Sequence, residues 1–258
     1  MSRGKVAIVL GAGSARGIAH VGVLQVLKEE GIDFDFIVGS SMGAMIGGIY
    51  ACGADLYMLE KMWRNMDSRL LMDVNVPRMG FLAGKRVKSF LELLCKNRDF
   101  EQLDVPLLAV ATDLVSGQRV VIEEGRVADA IRASISIPGV FKPIRKEGMV
   151  LVDGAVCDRL PVEVARERGA DIVIAVDVTF GPGKEVSIHN TLDVIMTSLD
   201  IMQKQQFDLI YPKVDILIQP AVGHLASRDF DRSQEAIEMG RQATQEKIKE
   251  IRGKISLL

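Results

Sequence analysis

Short apolar runs that stop at a glycine or an aspartate, each followed by helical spacing, restrict this chain more than any other feature. Val6–Leu10 runs into a glycine loop, and residues 17–30 place Ala19, Val23, Val26 and Leu27 on one helical face, with Gly31 as a stop. Phe34–Val38 reads as a second buried strand and Met42–Cys52 as a tightly packed helix of small residues. Parallel strands need long crossovers, and crossover helices cover the sheet faces, so the alternation predicts an α/β fold with a mostly parallel sheet between helices. Further strands are expected at Leu107–Thr112, Arg119–Glu123, Met149–Val152, Ile172–Val176 and Val214–Ile218, with a hairpin around Ser116-Gly117. Helices are expected at Asp55–Met66, Lys85–Lys96, Val127–Ser136, Thr191–Leu209 and Ser233–Ile251, with an irregular stretch near Val76-Pro77-Arg78-Met79-Gly80. No linker rich in Pro, Gly or Ser divides the chain. The expectation is one domain over 1–258, with a motif-bearing core at 5–177, a helical insertion at 55–100 and a C-terminal helical region at 190–258.

Composition narrows the function. The 258 residues are 48% hydrophobic and 26% charged, which suits a globular chain with a full core. Lys and Arg (32) nearly balance Asp and Glu (34), for a net charge of −2, so the basic footprint of a nucleic-acid binder is missing. No apolar run approaches the ~18 residues of a membrane span, and the N-terminal run is too short for a signal peptide. Cys52, Cys95 and Cys157 have neither CxxC nor zinc spacing and read as reduced, mostly buried thiols. The reading is a cytoplasmic protein with no metal and no cofactor, capable at most of peripheral contact at the inner membrane surface. Oligomeric state is not legible.

Three segments carry chemistry. Gly39-Ser40-Ser41-Met42-Gly43 is a G-x-S-x-G between an expected strand and an expected helix, the context a nucleophile elbow needs. Ser41 would stand at its apex; the plain alternative is a helix cap by Ser40 or Ser41. Gly11-Ala12-Gly13-Ser14-Ala15-Arg16-Gly17 follows the first strand. Read as a dinucleotide fingerprint with Asp33 as the ribose acid, it carries Arg16 where a third glycine belongs. Read as an anion loop, it offers free N–H groups near Gly13 and Ser14 to a developing oxyanion. Asp153-Gly154-Ala155 ends an apolar run, either as a simple turn or as an acid placed to reach the elbow. The three histidines, His20, His189 and His224, sit in no catalytic signature, although the order Ser41…Asp153…His formally allows a triad.

The ordered set of glycine loop with Arg16, G-x-S-x-G and D-G-A resembles the patatin-like phospholipases, specifically small bacterial members related to the catalytic domain of neuropathy target esterase. Gly17–Leu24 and Ser134–Pro143 also look like blocks of that family, and the likeness runs from Lys5 to Asp177. It implies a three-layer α/β/α fold and lipid acyl hydrolysis by a Ser–Asp dyad, with Ser41 as nucleophile and Asp153 as acid–base. It also implies an oxyanion loop at Gly11, Gly13, Ser14 and their neighbours. Ala12 and Ala155 stand where many members carry glycine; neither is a reacting group. The substrate implied is an acyl ester of phospholipid, lysophospholipid or a related lipid. The rival readings are a triad esterase, a nucleotide-binding oxidoreductase and a catalytically silent regulatory protein.

Two features remain open. Met58, Met62 and Met66 share one helix face, either as core filler or as an adaptable acyl groove or lid over Ser41. The C-terminal helix, with Arg241, Lys247, Lys249, Arg252 and Lys254, reads as a solvated face.

Overall fold

β1 (Val6–Leu10) and β7 (Ile172–Val176) are buried at every position, which marks strands covered on both faces. A computed structural model describes residues 4–65, 82–183, 188, 191–210 and 213–258. These form one eight-stranded sheet. Its path runs β5 (Ile144–Lys146), β6 (Met149–Asp153), β3 (Leu107–Asp113), β2 (Phe36–Ser40), β1, β7 and β8 (Ile216–Ile218), with β4 (Gln118–Ile122) paired to β3. The block from β3 to β8 along that path is parallel. The hairpin partners β4, β5 and β6 are antiparallel.

Alternation along the strands sends side chains to two cores. Val6, Ile8, Leu10, Ile174 and Val176 face α1 (Ala19–Glu29), α2 (Met42–Ala51), α5 (Val127–Ser134) and α8 (Ser233–Ile255). Ala7, Val9, Val173 and Ala175 face α6 (Val162–Glu167) and, through Phe207, α7 (Thr191–Ile210). The result is a three-layer α/β/α arrangement, as expected. α3 (Leu56–Asn65) and α4 (Lys85–Leu94) extend the first layer through Leu56, Leu59, Trp63, Val87 and Leu91.

The register on β3 decides where the chemistry goes. β2 pairs with residues 107–110 of β3, ending at Ser40↔Val110. β6 pairs with residues 111–113, beginning at Ala111↔Asp153. β4 pairs with Ala109–Asp113 and occupies the opposite edge. β2 and β6 therefore share one edge of β3, end to end. Because β2 runs with β3 and β6 against it, their C-terminal ends meet.

Several expected boundaries shift. The second strand starts at Phe36 rather than Phe34 and continues through Gly39 and Ser40. Phe34 packs on Tyr50 with ring centroids 6.1 Å apart, outside the sheet. The first helix opens as a 3-10 turn over Ser14–Ile18. β5 and α6 were not expected, being only three and six residues long. The C-terminal helix is more than a solvated face: Ala236, Ile237, Gly240, Thr244 and Ile251 are buried. Its basic residues Arg241 and Arg252 pair with Glu29 and Glu30 of the α1 end.

Glycines set the α1–α8 spacing. A Cβ on Gly22 would lie 2.0 Å from the Ile237 carbonyl oxygen, and one on Gly240 would lie 2.0 Å from that of Ala19. Each helix thus presents its bare backbone to the other. Gly22→Ala is expected to cost about 3 kcal/mol, the upper range for overpacking, read from urea unfolding. A loss below about 0.5 kcal/mol, the scale of a surface change, would mean the helices do not cross this closely.

Candidate active site

The elbow forms because β2 must turn sharply into α2. Ser41 takes φ 53°, ψ −120°, a conformation unfavourable for a side-chain-bearing residue and costing about 1–3 kcal/mol. The surroundings hold it there. The Ser41 N–H donates to Ser134 Oγ at 2.9 Å, and Ser134 Oγ donates to the Val110 carbonyl at 2.6 Å. Ser40 Oγ donates to the Asp158 carbonyl at 2.9 Å, so Ser40 anchors the turn and does not cap the helix. Flanking side chains have no room: a Cβ on Gly43 would stand 2.0 Å from the Leu10 carbonyl oxygen, and one on Gly39 2.5 Å from Ala44 Cα.

Asp153 arrives from the end of β6. Its N–H donates to the Ser136 carbonyl at 3.0 Å, and its Oδ1 accepts the Ala155 N–H at 2.9 Å. Oδ2 accepts the Ser41 hydroxyl at 2.7 Å. Gly154 begins the 3-10 turn after the strand, where a Cβ would press the Val110 carbonyl. Burial raises the Asp153 carboxyl from its ordinary 3.8 to about 6, against the lowering pull of the Ser41 and Ala155 hydrogen bonds and the Arg159 charge.

The glycine loop lies against the same site. Most of its amides are engaged: Gly11 N–H with the Val176 carbonyl, Ala12 N–H with that of Arg159, and Ala15 N–H with that of Ser227. The Thr179 hydroxyl donates to the Ala12 carbonyl at 2.8 Å. Among the described residues, the Gly13 and Ser14 N–H groups donate to no protein acceptor, and both residues line the cavity with Ser41 and Asp153. Gly17 packs closely on Met42, and Arg16 pairs with Asp200 of α7.

No described histidine completes a triad. His20 is fully buried, with Nε2 2.8 Å from the Gly11 carbonyl. Burial lowers its pKa to about 4, so it is a neutral support of the loop. His224 pairs with Glu235 at 2.7 Å. His189 lies outside the described residues. The dinucleotide reading fails on position: Asp33 precedes β2, at the end of the sheet away from the glycine loop.

The cavity itself is small, about 10 Å³, roughly the room of one water. Leu199 of α7 lines it with Ile137 and Pro138. None of the described residues of α3 lines the cavity around Ser41. On α3, Met58 is exposed and Met62 packs half-buried on the core, while Met66, Met72 and Met79 lie outside the described residues. A wider cavity of about 420 Å³, lined by Lys5, Asp35, Pro106 and Arg168, lies at the opposite end of the strands, with no serine or cysteine among its described lining residues. Sequence reasoning did not find Ser134, Arg159, Thr179, Leu199 or Asp200. For Ser134 the neighbouring Ser-Ile-Ser-Ile-Pro block was the available signal; the others act across distant segments.

Residues 8–166 match the family model described as patatin-like phospholipase. The chain belongs to the patatin-like phospholipase family. Among curated relatives of this patatin-like chain, an uncharacterized NTE family protein of Mycobacterium tuberculosis is 37% identical over 195 residues, covering 73% of this chain and 54% of that protein. Patatin-like phospholipase domain-containing protein 7 of Rattus norvegicus is 35% identical, over 74% of this chain and 14% of its own length. Lysophospholipase NTE1 of Cryptococcus neoformans is 33% identical, over 67% of this chain and 11% of its own length. The chain therefore spans about half the length of the mycobacterial relative and a small part of the other two. By structure, VipD from Legionella pneumophila superposes with TM-score 0.65 at 14% identity, over 95% of this chain and 66% of that one. That likeness speaks to the fold alone. Among the described residues, no helix is long and apolar enough to cross a membrane.

The raised Asp153 carboxyl carries a stability consequence. An acid with a folded pKa of about 6 against an ordinary 3.8 favours the fold when protonated. That contribution is complete below pH 3.8 and is lost as pH rises through 6. Asp153→Asn is expected to stabilise the protein at pH 7 by up to about 3 kcal/mol, with no gain below pH 4. Urea unfolding at the two pH values checks both the size and the direction.

Proposed function

We propose that the protein is a serine lipid acyl hydrolase that cleaves carboxylic esters of phospholipid, lysophospholipid or a related acyl lipid through Ser41 and Asp153. The observation that carries this is the 2.7 Å hydrogen bond from the Ser41 hydroxyl to Asp153, in a chain of the patatin-like phospholipase family. The name lysophospholipase borne by the fungal relative supports a lipid substrate.

The steps follow from the groups present. Ser41 Oγ attacks the ester carbonyl carbon while its proton passes to Asp153 Oδ2. The carbonyl oxygen becomes an oxyanion, and the open Gly13 and Ser14 N–H groups are the donors available to it; one such donor is worth roughly 2.7–4 kcal/mol in the transition state. Collapse breaks the bond to the leaving alcohol, which takes the proton from Asp153 and leaves an acyl-Ser41. Water then gives a proton to Asp153 and attacks the acyl carbon, releasing the fatty acid as the proton returns to Ser41. A carboxyl near 6 suits both halves, being mostly ionised at neutral pH yet basic enough to accept the serine proton. At about 10 Å³ the cavity must widen to seat an ester, and a displacement of Leu199 on α7 is one movement that opens it.

A long-chain fluorophosphonate is expected to label Ser41, mapped by mass spectrometry. Labelling should fall roughly 100-fold or more in Asp153→Asn, the scale of general-base loss, and survive in His189→Ala/His224→Ala. Folded protein that takes no label would sink the proposal. In ester hydrolysis, kcat/KM should drop with unit slope below pH 6 as Asp153 protonates, and a rate flat from pH 5 to 8 would exclude Asp153 as base.

A further inference from the structure

Beside the nucleophile lies a charge cluster that the acyl-transfer steps do not use. The Arg159 guanidinium, nine-tenths buried, meets Asp200 of α7 with Nη2 2.7 Å from Oδ1. Arg16, largely buried, approaches the other oxygen at 3.9 Å. Arg159 Nη1 also donates to Thr179 Oγ1 at 3.2 Å, which ties it to the Ala12 carbonyl. Arg159 lines the same cavity as Ser41 and Asp153. Asp177 and Asp229 stand further off, and both are engaged. Asp177 accepts from the Thr179 and Phe180 N–H groups and Gln219, and Asp229 from the Ala226 N–H.

The two guanidiniums are underused. Among the described residues, Nε of both Arg16 and Arg159 is buried with no acceptor. Each guanidinium carries five N–H donors, and one carboxylate offers two oxygens to both of them. A phosphoryl group brings more oxygens and more charge, and its geometry matches paired guanidiniums. Asp200 follows Leu199 directly in sequence. The shift of α7 that clears the cavity for an ester also withdraws the carboxylate, leaving two buried cations that need another anion.

We propose that Arg159 and Arg16 form a subsite for a phosphoryl group, held in the closed protein by Asp200 as a resident stand-in. The subsite rests on the ester-hydrolase reading for its use in catalysis, but not for its existence. A phosphate-bearing lipid compensates the cations that α7 exposes, and a neutral lipid does not. The subsite therefore favours phosphate-bearing acyl esters and couples their binding to uncovering of Ser41.

The test compares two esters with the same acyl chain in identical detergent micelles: lysophosphatidic acid and the matching monoacylglycerol. The readout is the ratio of their kcat/KM values. Arg159→Gln also raises the Asp153 pKa, but that change strikes both substrates alike and leaves the ratio informative. The ratio is expected to fall at least tenfold in Arg159→Gln, recover in part in Arg159→Lys, and rise in Asp200→Asn. If Arg159→Gln does not fold, Arg16→Gln, at the more exposed position, replaces it. A second arm needs no turnover: inorganic phosphate should raise the melting temperature of Asp200→Asn but not of Asp200→Asn/Arg159→Gln. Altered ratios identify the lipid head group as the source of the anion. A phosphate-dependent melting shift with unaltered ratios assigns the subsite to free phosphate. Unaltered ratios with no melting shift overturn the subsite, while wild-type protein that cleaves neither ester and takes no fluorophosphonate overturns the hydrolase reading instead.

Discussion

Everything at the site depends on two strands sharing one edge of β3. β2 leaves that edge at Ser40 and β6 takes it up at Asp153, in adjacent register positions and from opposite directions. Hydrogen bonding along β3 therefore fixes the separation of hydroxyl and carboxylate. Loops alone would leave both side chains free to drift, whereas here Asp153 sits on the last rung of one ladder and Ser41 directly follows the last rung of the other. The 2.7 Å contact is a product of sheet register, supported by Ser134 and Ser136 from the neighbouring helix end.

That register also explains the electrostatics. A carboxylate at the end of a strand inside a three-layer fold is cut off from water, and its affinity for a proton rises. The same burial that raises the proton affinity of Asp153 opposes folding at neutral pH, and the elbow adds backbone cost at Ser41. The fold carries both through the fully buried strands on either side and the helices that cover them.

Much of this was legible in the sequence where information is local. Ile172–Val176 reads as a buried strand because five apolar residues leave no polar face. The elbow reads as an elbow because strand, turn and helix lie within a few residues of Ser41. The pairing of β6 with β3 was not legible: the apolar run Met149–Val152 marks a strand without saying which edge it joins or in which direction. Ile144–Lys146 is too short and charged to stand out, and becomes a strand only through its partner. The methionine spacing on α3 fits core filler as well as an acyl groove, and nothing in the sequence points to Leu199 of α7, which lines the cavity. Residues 191–210 were recognisable as a helix, but the face on which it docks depends on contacts with Arg159 and Arg16, far away in the chain.

The crossing of α1 and α8, backbone against backbone at Gly22 and Gly240, has a temporal consequence. β1 and α1 precede α8 in the chain, and the surface of α1 is finished only by residues 233–255. Contacts this distant in sequence slow the search for the native state. The earlier segment therefore waits, partly uncovered, for the later one before the close backbone contact at Gly22 and Gly240 can form.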